Sequence, residues 1–257
     1  TEVSADRGCL KLSNSGETVI NGGKFVNNDI GSRSLTSHVV DVEDGGSNKL
    51  TINGGTFEHR HATTSGGVVI CNRTTGTVYV NGGNFSGGNY YGNDNLSDYG
   101  YGGTFSVTGG TYTAAPATKY IAEGYKVIEE NGKFNVVPDA VDDVVSSTET
   151  LEEAIAAGND TIALNAGEYV IPAAAQGKTI TFVGTGNPED TKVAVTKVGT
   201  GYENCDYGLD GSTVTFENIT ITTNSSTYIG YARCNGTYKN CIINGTYTLY
   251  GDSVFEN

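Results

Sequence analysis

The sequence predicts an all-β chain that winds as a parallel β-helix, a solenoid of short stacked strands, in two tandem segments. Three observations favour this class. A Gly-Gly repeat runs through the first part of the chain, an aromatic and Asn ladder runs through the last part, and a hairpin signal and a helix signal lie between them. The 37 glycines among 257 residues are about twice the usual share, as expected for a chain with many tight corners.

Four segments of the first part align without gaps: TVINGGKF, LTINGGTF, VYVNGGNF and FSVTGGTY. Each has an alternating apolar strand, an Asn or Thr, the Gly pair and an aromatic residue. Further short strands such as HVVDV and GVVIC lie between the repeats. The aromatic residues are Phe25, Phe57, Phe85 and Tyr112.

Stacking explains this motif better than a β-sandwich does. One repeat cannot bury its apolar face alone, whereas copies stacked at about 4.8 Å align like residues and build a continuous core. The Gly pair allows positive φ at a corner, the Asn can bond to its copies above and below, and the aromatic ring fills the corner from inside. A sandwich would show turns about every 8–12 residues but no such recurring motif.

The repeat pattern stops after Tyr112. Residues 125–129 and 133–137 then predict two strands of a hairpin around Asn131-Gly132, a strong signal for a two-residue turn. A hairpin here would cover the open edge of the last repeat.

A helix is predicted next, with Leu151, Ala154 and Ile155 on one face and Gly158 at its end. It would cover the first repeat of a second solenoid. Two capping boxes can start it: Thr150 with Glu153, or Ser146 with Glu149.

A second ladder follows in the segments TFENITI, TYKNCII and VFEN. It aligns two sets of residues: Phe216, Tyr238 and Phe255, and Asn218, Asn240 and Asn257. The predicted organisation is a first β-helix over 1–115, a capping hairpin over 116–138, a linker over 139–145, and a second β-helix with its capping helix over 146–257 that we expect to continue beyond its C-terminal end.

The helix with DTIALNAGEYVI and KTITFVGTG resembles the start of right-handed β-helix proteins of the pectate-lyase-like superfamily. The stretch GGTY…KYIAEGYKVIEENGKFNVVP is similar to modules of surface or secreted proteins of gut Firmicutes and of phage tail and head fibres. This resemblance implies a right-handed solenoid. It does not imply one activity, because the superfamily contains lyases, hydrolases, adhesins and stalks.

Composition limits the partners. The net charge of −14 with 15 Lys and Arg argues against nucleic acid, which needs a basic surface. No apolar run approaches the roughly 18 residues of a membrane span. We expect an extracellular, cell-surface, secreted or virion-fibre location, with a glycan or self-association through the solenoid ends as the interaction. The five cysteines have no short metal-binding spacing, and buried thiols are favoured over disulfides.

Catalytic signatures are absent from the sequence. The G-H-G and R-I-K segments that the resemblance would imply for a hydrolase are missing. Asp142 and Asp143 are adjacent and are interpreted as linker residues, because neighbours in an extended chain point in opposite directions. His59 and His61 could share a strand face, but without a third ligand a solvated EHRH loop is favoured. We therefore predict no catalytic residue and no resident metal.

The most suggestive segment is GGNYYGNDNLSDYGYGG. Tyrosine faces beside amides and carboxylates suit sugar stacking or protein contact, while the plainer interpretation is a long loop folded on the solenoid. Asp94 and Asp98 suggest Ca²⁺ as a cofactor, because hard cations take oxygen ligands. The candidate carbohydrate- or partner-binding residues are Tyr90, Tyr91, Asp94, Asp98, Tyr99 and Tyr101.

The leading functional hypothesis is a non-enzymatic structural or adhesive module: a rigid stalk, or a glycan- or partner-binding surface, of a bacterial surface protein or phage fibre. One alternative is a polysaccharide-degrading lyase, glycoside hydrolase or depolymerase, which needs paired carboxylates, or Ca²⁺ with a base, on one lateral face. Another is the subunit of a self-assembling filament or trimeric spike.

Overall fold

The computed structural model describes residues 2–5, 8–13, 16–28, 38–43, 48–60, 67–88, 95–98, 100–195, 197–198, 206–207, 209, 212–223, 232–233, 236–244, 247–248 and 253–256. The described chain is mostly strands with one α-helix, which confirms the all-β class. It divides into two compact units, Thr1–Asp139 and Ala140–Asn257. In the described residues no helix is long and apolar enough to span a membrane.

The first unit contains fifteen described strands and one short 3-10 helix, Thr118–Tyr120. The strands are β1 (Glu2–Ala5), β2 (Leu10–Leu12), β3 (Glu17–Ile20), β4 (Lys24–Asn27), β5 (Val40–Val42), β6 (Lys49–Ile52), β7 (Thr56–His59), β8 (Ile70–Asn72), β9 (Thr77–Val80), β10 (Asn84–Gly87), β11 (Leu96–Ser97), β12 (Thr104–Val107), β13 (Thr111–Tyr112), β14 (Tyr125–Glu130) and β15 (Lys133–Pro138).

Each strand from β1 to β10 pairs in parallel with the strand three places later in the chain. The result is three parallel sheets: sheet A with order β1-β4-β7-β10-β13, sheet B with order β2-β5-β8-β11, and sheet C with order β3-β6-β9-β12. Three consecutive strands, one in each sheet, form one three-strand repeat. The predicted parallel pairing is thus confirmed in this unit.

The predicted aromatic column lies on sheet A. The register pairs Phe25 with Phe57, Phe57 with Phe85, and Phe85 with Tyr112. Their ring centroids are 5.0, 5.1 and 4.8 Å apart, and adjacent ring planes differ by 3°, 5° and 9°. All but the partly exposed Phe25 are buried. One continuous stack therefore joins four repeats in the core.

The Gly-Gly motif forms the corner between sheet C and sheet A. Gly55 has φ +119°, and an added Cβ would lie 3.1 Å from the carbonyl oxygen of Gly23 and 3.2 Å from the Phe57 ring. A side chain is disfavoured there, because this φ strains any residue other than glycine and the Cβ would crowd the Gly23 backbone and the ring. The preceding polar residue forms the predicted ladder: the Asn53 amide donates to Asn21 Oδ1 at 2.7 Å, and the Asn81 amide donates to Asn53 Oδ1 at 2.9 Å.

The predicted hairpin is present as β14 and β15. Its turn residues Asn131 and Gly132 have φ 52° and 74°, both positive, as a tight two-residue hairpin turn requires. Strand β15 pairs antiparallel with β13. The hairpin therefore satisfies the edge of sheet A that would otherwise remain open after the last repeat.

The second unit begins with β16 (Asp143–Val145) and helix α1 (Thr148–Ala157) and contains the 3-10 helix Ala173–Ala175. Its remaining described strands are β17 (Thr161–Leu164), β18 (Gly167–Val170), β19 (Thr179–Gly184), β20 (Thr191–Val195), β21 (Lys197–Val198), β22 (Asp206–Tyr207), β23 (Thr213–Glu217), β24 (Thr220–Thr223), β25 (Ala232–Arg233), β26 (Gly236–Lys239), β27 (Ile242–Asn244), β28 (Tyr247–Thr248) and β29 (Val254–Glu256).

Parallel pairing also dominates here. Sheet D has the order β16-β17-β19-β23-β26-β29 and sheet E the order β18-β20-β24-β27. Strands β25 and β28 pair in parallel, while β21 and β22 pair antiparallel.

Helix α1 packs its predicted face into this core, with Leu151, Ala154 and Ile155 buried. Gly158 ends it in the left-handed conformation, with φ 95°. Both predicted capping boxes are wrong. The N-cap is Ser147, whose hydroxyl accepts from the Thr150 amide at 3.2 Å, while the Thr150 hydroxyl accepts from the Ser147 amide at 3.1 Å. A Thr can replace Glu because its hydroxyl also reaches back to the N-cap amide.

The second ladder is confirmed in register. Phe216 pairs with Tyr238, and Tyr238 with Phe255, at centroid distances of 5.8 and 5.0 Å. Asn218 and Asn240 have φ 58° and 47°, and the Asn240 amide donates to Asn218 Oδ1 at 2.9 Å. Asn thus takes the left-handed corner that Gly takes in the first unit. Asn257 lies outside the described residues.

Candidate functional site

Sheet B carries a buried polar column on the face opposite to the core. Its register aligns Lys11, Asp41, Cys71 and Ser97. Side chains alternate along a strand, and the neighbouring Val40, Val42, Ile70 and Leu96 belong to the apolar core. Lys11 is exposed, but Asp41, Cys71 and Ser97 are only 8%, 0% and 9% exposed. A buried polar column requires specific partners.

His38 joins this column from the turn that leads into β5. Its side chain is buried, and its Nδ1 accepts a hydrogen bond from the Val68 amide at 3.1 Å. Burial, together with the charges of Arg73 and His59, lowers the pKa of His38 to about 3. The imidazole is therefore neutral at physiological pH, with its hydrogen on Nε2.

His38, Asp41 and Cys71 form a compact group of three possible metal ligands. One ligand atom from each, a ring nitrogen, a carboxylate oxygen and Sγ, lies within 4.8 Å of the other two. The β5–β8 register places Asp41 directly beside Cys71. Within the part of the chain that the structure describes, this is the one group of three such side chains at that spacing.

Arg73 connects the group to charges nearer the surface. Its guanidinium donates to both carboxylate oxygens of Asp41: Nε donates to Oδ1 at 3.1 Å, and Nη2 donates to Oδ2. Nη2 also donates to Glu43 at 3.0 Å, and Lys11 pairs with Glu43 at 2.7 Å. Burial raises the pKa of Asp41 above its ordinary value, and the hydrogen bond from Arg73 opposes that rise.

The Cys71 thiol is not an activated nucleophile. Burial raises its pKa well above the ordinary value, and the nearby Asp41 charge raises it further. Nucleophilic catalysis needs a thiolate in a partly exposed, electropositive setting. Cys71 is 0% exposed, so the Cys-His-Asp grouping offers metal ligands rather than a hydrolytic triad.

The tyrosine-rich segment is described only in part. Tyr90, Tyr91, Asp94 and Tyr99 lie outside the described residues. Asp98 and Tyr101 are described, and the Tyr101 side chain is 57% exposed.

Asp98 is held in an ion pair. Its carboxylate accepts from Lys119 Nζ at 2.9 Å and from the Gly100 amide at 3.2 Å. Lys119 Nζ also lies 4.8 Å from the centre of the Tyr120 ring. Although burial raises the pKa of Asp98, these bonds outweigh that effect and hold it below its ordinary value. Asp98 is thus an ionised carboxylate neutralised by a lysine.

The histidine interpretation needs a correction. His59 is the last residue of β7 and is 3% exposed, so the solvated EHRH loop is wrong at this residue. His59 is buried because its register partners are Asn27 and Gly87 in the same sheet. His61 lies outside the described residues. The linker interpretation of Asp142 is also incomplete, since its Oδ2 accepts from the amides of Asp160 and Thr161 at 3.2 and 3.3 Å.

The sequence contains a signal for the buried group that sequence reasoning did not use. HVVDV and GVVIC are both predicted strands, and pairing Val40 with Ile70 places Asp41 next to Cys71. The position of His38 is harder to predict, because it depends on the turn before β5.

The prediction of buried thiols holds in full only for Cys71. Cys9, Cys71 and Cys241 are not in disulfides, but Cys9 and Cys241 are only partly buried. Burial raises the pKa of Cys241 to about 11, and the residue packs against the core of the second unit. Cys205 and Cys234 lie outside the described residues.

Comparison of the chain with protein-family models, with curated proteins and with solved structures gives no match in any of the three.

Proposed function

We propose that this chain is a non-enzymatic structural module of an extracellular surface, built as a right-handed parallel β-helix in two tandem segments. The pairing of each strand with the strand three places later supports a winding path in the first unit. The handedness follows from the resemblance of the helix and strand segments to pectate-lyase-like proteins.

The observation that carries the proposal is the continuity of the side-chain columns. The aromatic stack joins four repeats, and an amide ladder follows it at the corner, where the Thr108 hydroxyl donates to Asn81 Oδ1 at 3.0 Å after the Asn-Asn bonds. Such columns restrict bending and sliding between repeats, because each copy packs on the next. Stiffness of this kind suits a stalk or a rigid display surface.

Enzymatic turnover on polysaccharides is the direct test. The purified chain should release neither reducing ends nor unsaturated products from a panel of plant, microbial and host polysaccharides, with and without added Ca²⁺. An active pectate lyase treated in parallel shows that the assay works. Sustained turnover that co-purifies with the folded chain would overturn the structural proposal.

A contact surface around Tyr101 is the second candidate. The Tyr101 ring is exposed, its backbone amide donates to the Asp98 carbonyl at 2.9 Å, and the Asp98 carboxylate pairs with Lys119. An aromatic face near charged and polar groups suits a sugar ring or a protein partner. We therefore propose a glycan or protein contact here, as part of the module's display role.

A glycan array tests this second candidate. Tyr101→Ala should lose the binding of any glycan that the chain captures. Tyr79→Ala is the matched control, because Tyr79 is also surface-exposed, at 36%, on a different element, β9. Equal loss in both variants, or no change in Tyr101→Ala, would contradict the assignment.

A further inference from the structure

We propose that His38, Asp41 and Cys71 form a buried site for one divalent transition-metal ion, with Zn²⁺ the best match. The three side chains come from two successive three-strand repeats, and their ligand atoms all lie within 4.8 Å of one another. The site is independent of the proposed structural function.

The donor types select the metal. Zn²⁺ accepts imidazole nitrogen, thiolate sulfur and carboxylate oxygen together, with bond lengths of about 2.0–2.3 Å. Ca²⁺ and Mg²⁺ are hard ions that take oxygen ligands, so a nitrogen and a sulfur donor disfavour them. Tetrahedral bonds of that length place ligand atoms about 3.5 Å apart. The ligand atoms of this group lie within 4.8 Å of one another, so binding requires them to move closer by up to about 1.3 Å.

His38 offers an imidazole nitrogen to the ion. In the structure its Nδ1 accepts from the Val68 amide, so the hydrogen is on Nε2. An ion on Nδ1 would replace the Val68 hydrogen bond, whereas an ion on Nε2 requires the proton to leave that nitrogen.

Asp41 can bind the ion and keep Arg73. An ionised carboxylate has about four lone-pair sites, and Arg73 uses one on each oxygen. A remaining lone pair can face the ion while the guanidinium holds the carboxylate from the other side. Arg73 is thus a positioning residue, and hydrogen-bonded partners of this kind fix the orientation of metal ligands.

Cys71 binds the ion as a thiolate, which exchanges a proton for the metal. The S–H bond breaks, a Zn–S bond forms, and the proton leaves to solvent, with no change in oxidation state. A coordinated ion deprotonates a thiol outright. Binding therefore replaces one proton by a dication, and the affinity should rise with pH.

Co²⁺ serves as the spectroscopic probe. Because the ligands are buried, the full chain is unfolded, stripped of metal with a chelator, and refolded with Co²⁺ at neutral pH. We expect one Co²⁺ per chain, a near-ultraviolet thiolate-to-cobalt band, displacement by Zn²⁺, and release of about one proton per ion. Refolded wild-type chain that shows no band and no stoichiometric metal would overturn the proposal.

Variants assign the ligands. Cys71→Ser should abolish the band, and His38→Gln should weaken Co²⁺ binding by at least about 10-fold. Cys241→Ser is the matched control, because Cys241 is a partly buried thiol that belongs to no group of three possible metal ligands in the described residues, and it should keep the band unchanged.

A chain in which Cys9, Cys205, Cys234 and Cys241 are replaced by Ser keeps Cys71 as its single cysteine. This single-cysteine variant tests whether Cys71 binds the metal even if Cys71→Ser does not fold. The band should persist in this folded variant. Its loss there, or its survival in Cys71→Ser, would assign the metal to another thiol and overturn the site.

Discussion

Truncation of Phe57 to Ala should strongly destabilise the first unit. Phe57 is 0% exposed and is stacked between Phe25 and Phe85 at 5.0 and 5.1 Å. Removing a buried phenylalanine costs about 3–5 kcal/mol, and each lost ring pair is worth about 0.5–1.5 kcal/mol beyond its buried area. Since β-sheet backbones on both sides hold the cavity open, we expect about 4 kcal/mol.

Urea denaturation followed by circular dichroism measures this loss. With a urea dependence of about 2.5 kcal/mol per molar, a loss of about 4 kcal/mol moves the midpoint down by about 1.6 M. Phe25→Ala is the matched control and should lose less, because Phe25 is only partly buried and stacks on Phe57 alone among these rings. A loss below about 1 kcal/mol for Phe57→Ala would refute the stacked column.

Three further outcomes are expected. Gly55→Ala should destabilise the chain by about 1–3 kcal/mol, whereas Gly22→Ala should be near neutral, because a Cβ there meets no atom within 4 Å; urea midpoints compare them. The pKa of His38 is lowered to about 3 in the folded chain, whereas an unfolded histidine has a pKa of about 6.5. Between these two values only the unfolded chain binds this proton, so the free energy of unfolding should fall by up to about 1.4 kcal/mol for each unit by which the pH is lowered. The fall should be smaller in His38→Gln. Iodoacetamide should label Cys71, which is 0% exposed, only after denaturant is added, as mass spectrometry can show.

The repeats of the core could be predicted because they follow from local rules. The Gly pair, the preceding Asn and the following aromatic residue each have a steric or hydrogen-bonding reason to recur, and Phe25 to Tyr112 therefore align in sequence and in space. The hairpin at Asn131-Gly132 is equally local, since both residues tolerate positive φ. Such features need no knowledge of distant contacts.

The buried polar group could not be predicted in the same way. Asp41 and Cys71 occupy positions that alternation assigns to the outer face of sheet B, and outer positions are normally solvated. Their burial depends on what covers that face, which local pattern does not report. The N-cap at Ser147 was not predicted, because the usual capping-box pattern requires Glu or Gln at the third helical position. In this helix the Thr150 hydroxyl takes the place of that side chain.

Cysteine cross-linking between repeats tests the central claim, that successive repeats lie over one another with matching residues in register. Thr51→Cys with Tyr79→Cys joins two Cα partners of β6 and β9, within the roughly 4.4–6.8 Å that a disulfide spans. Thr51→Cys with Thr77→Cys is offset by two residues and exceeds that range. Peptide mass spectrometry after mild oxidation should find the first cross-link and not the second. Equal yields, or a preference for the offset pair, would contradict the stacked register.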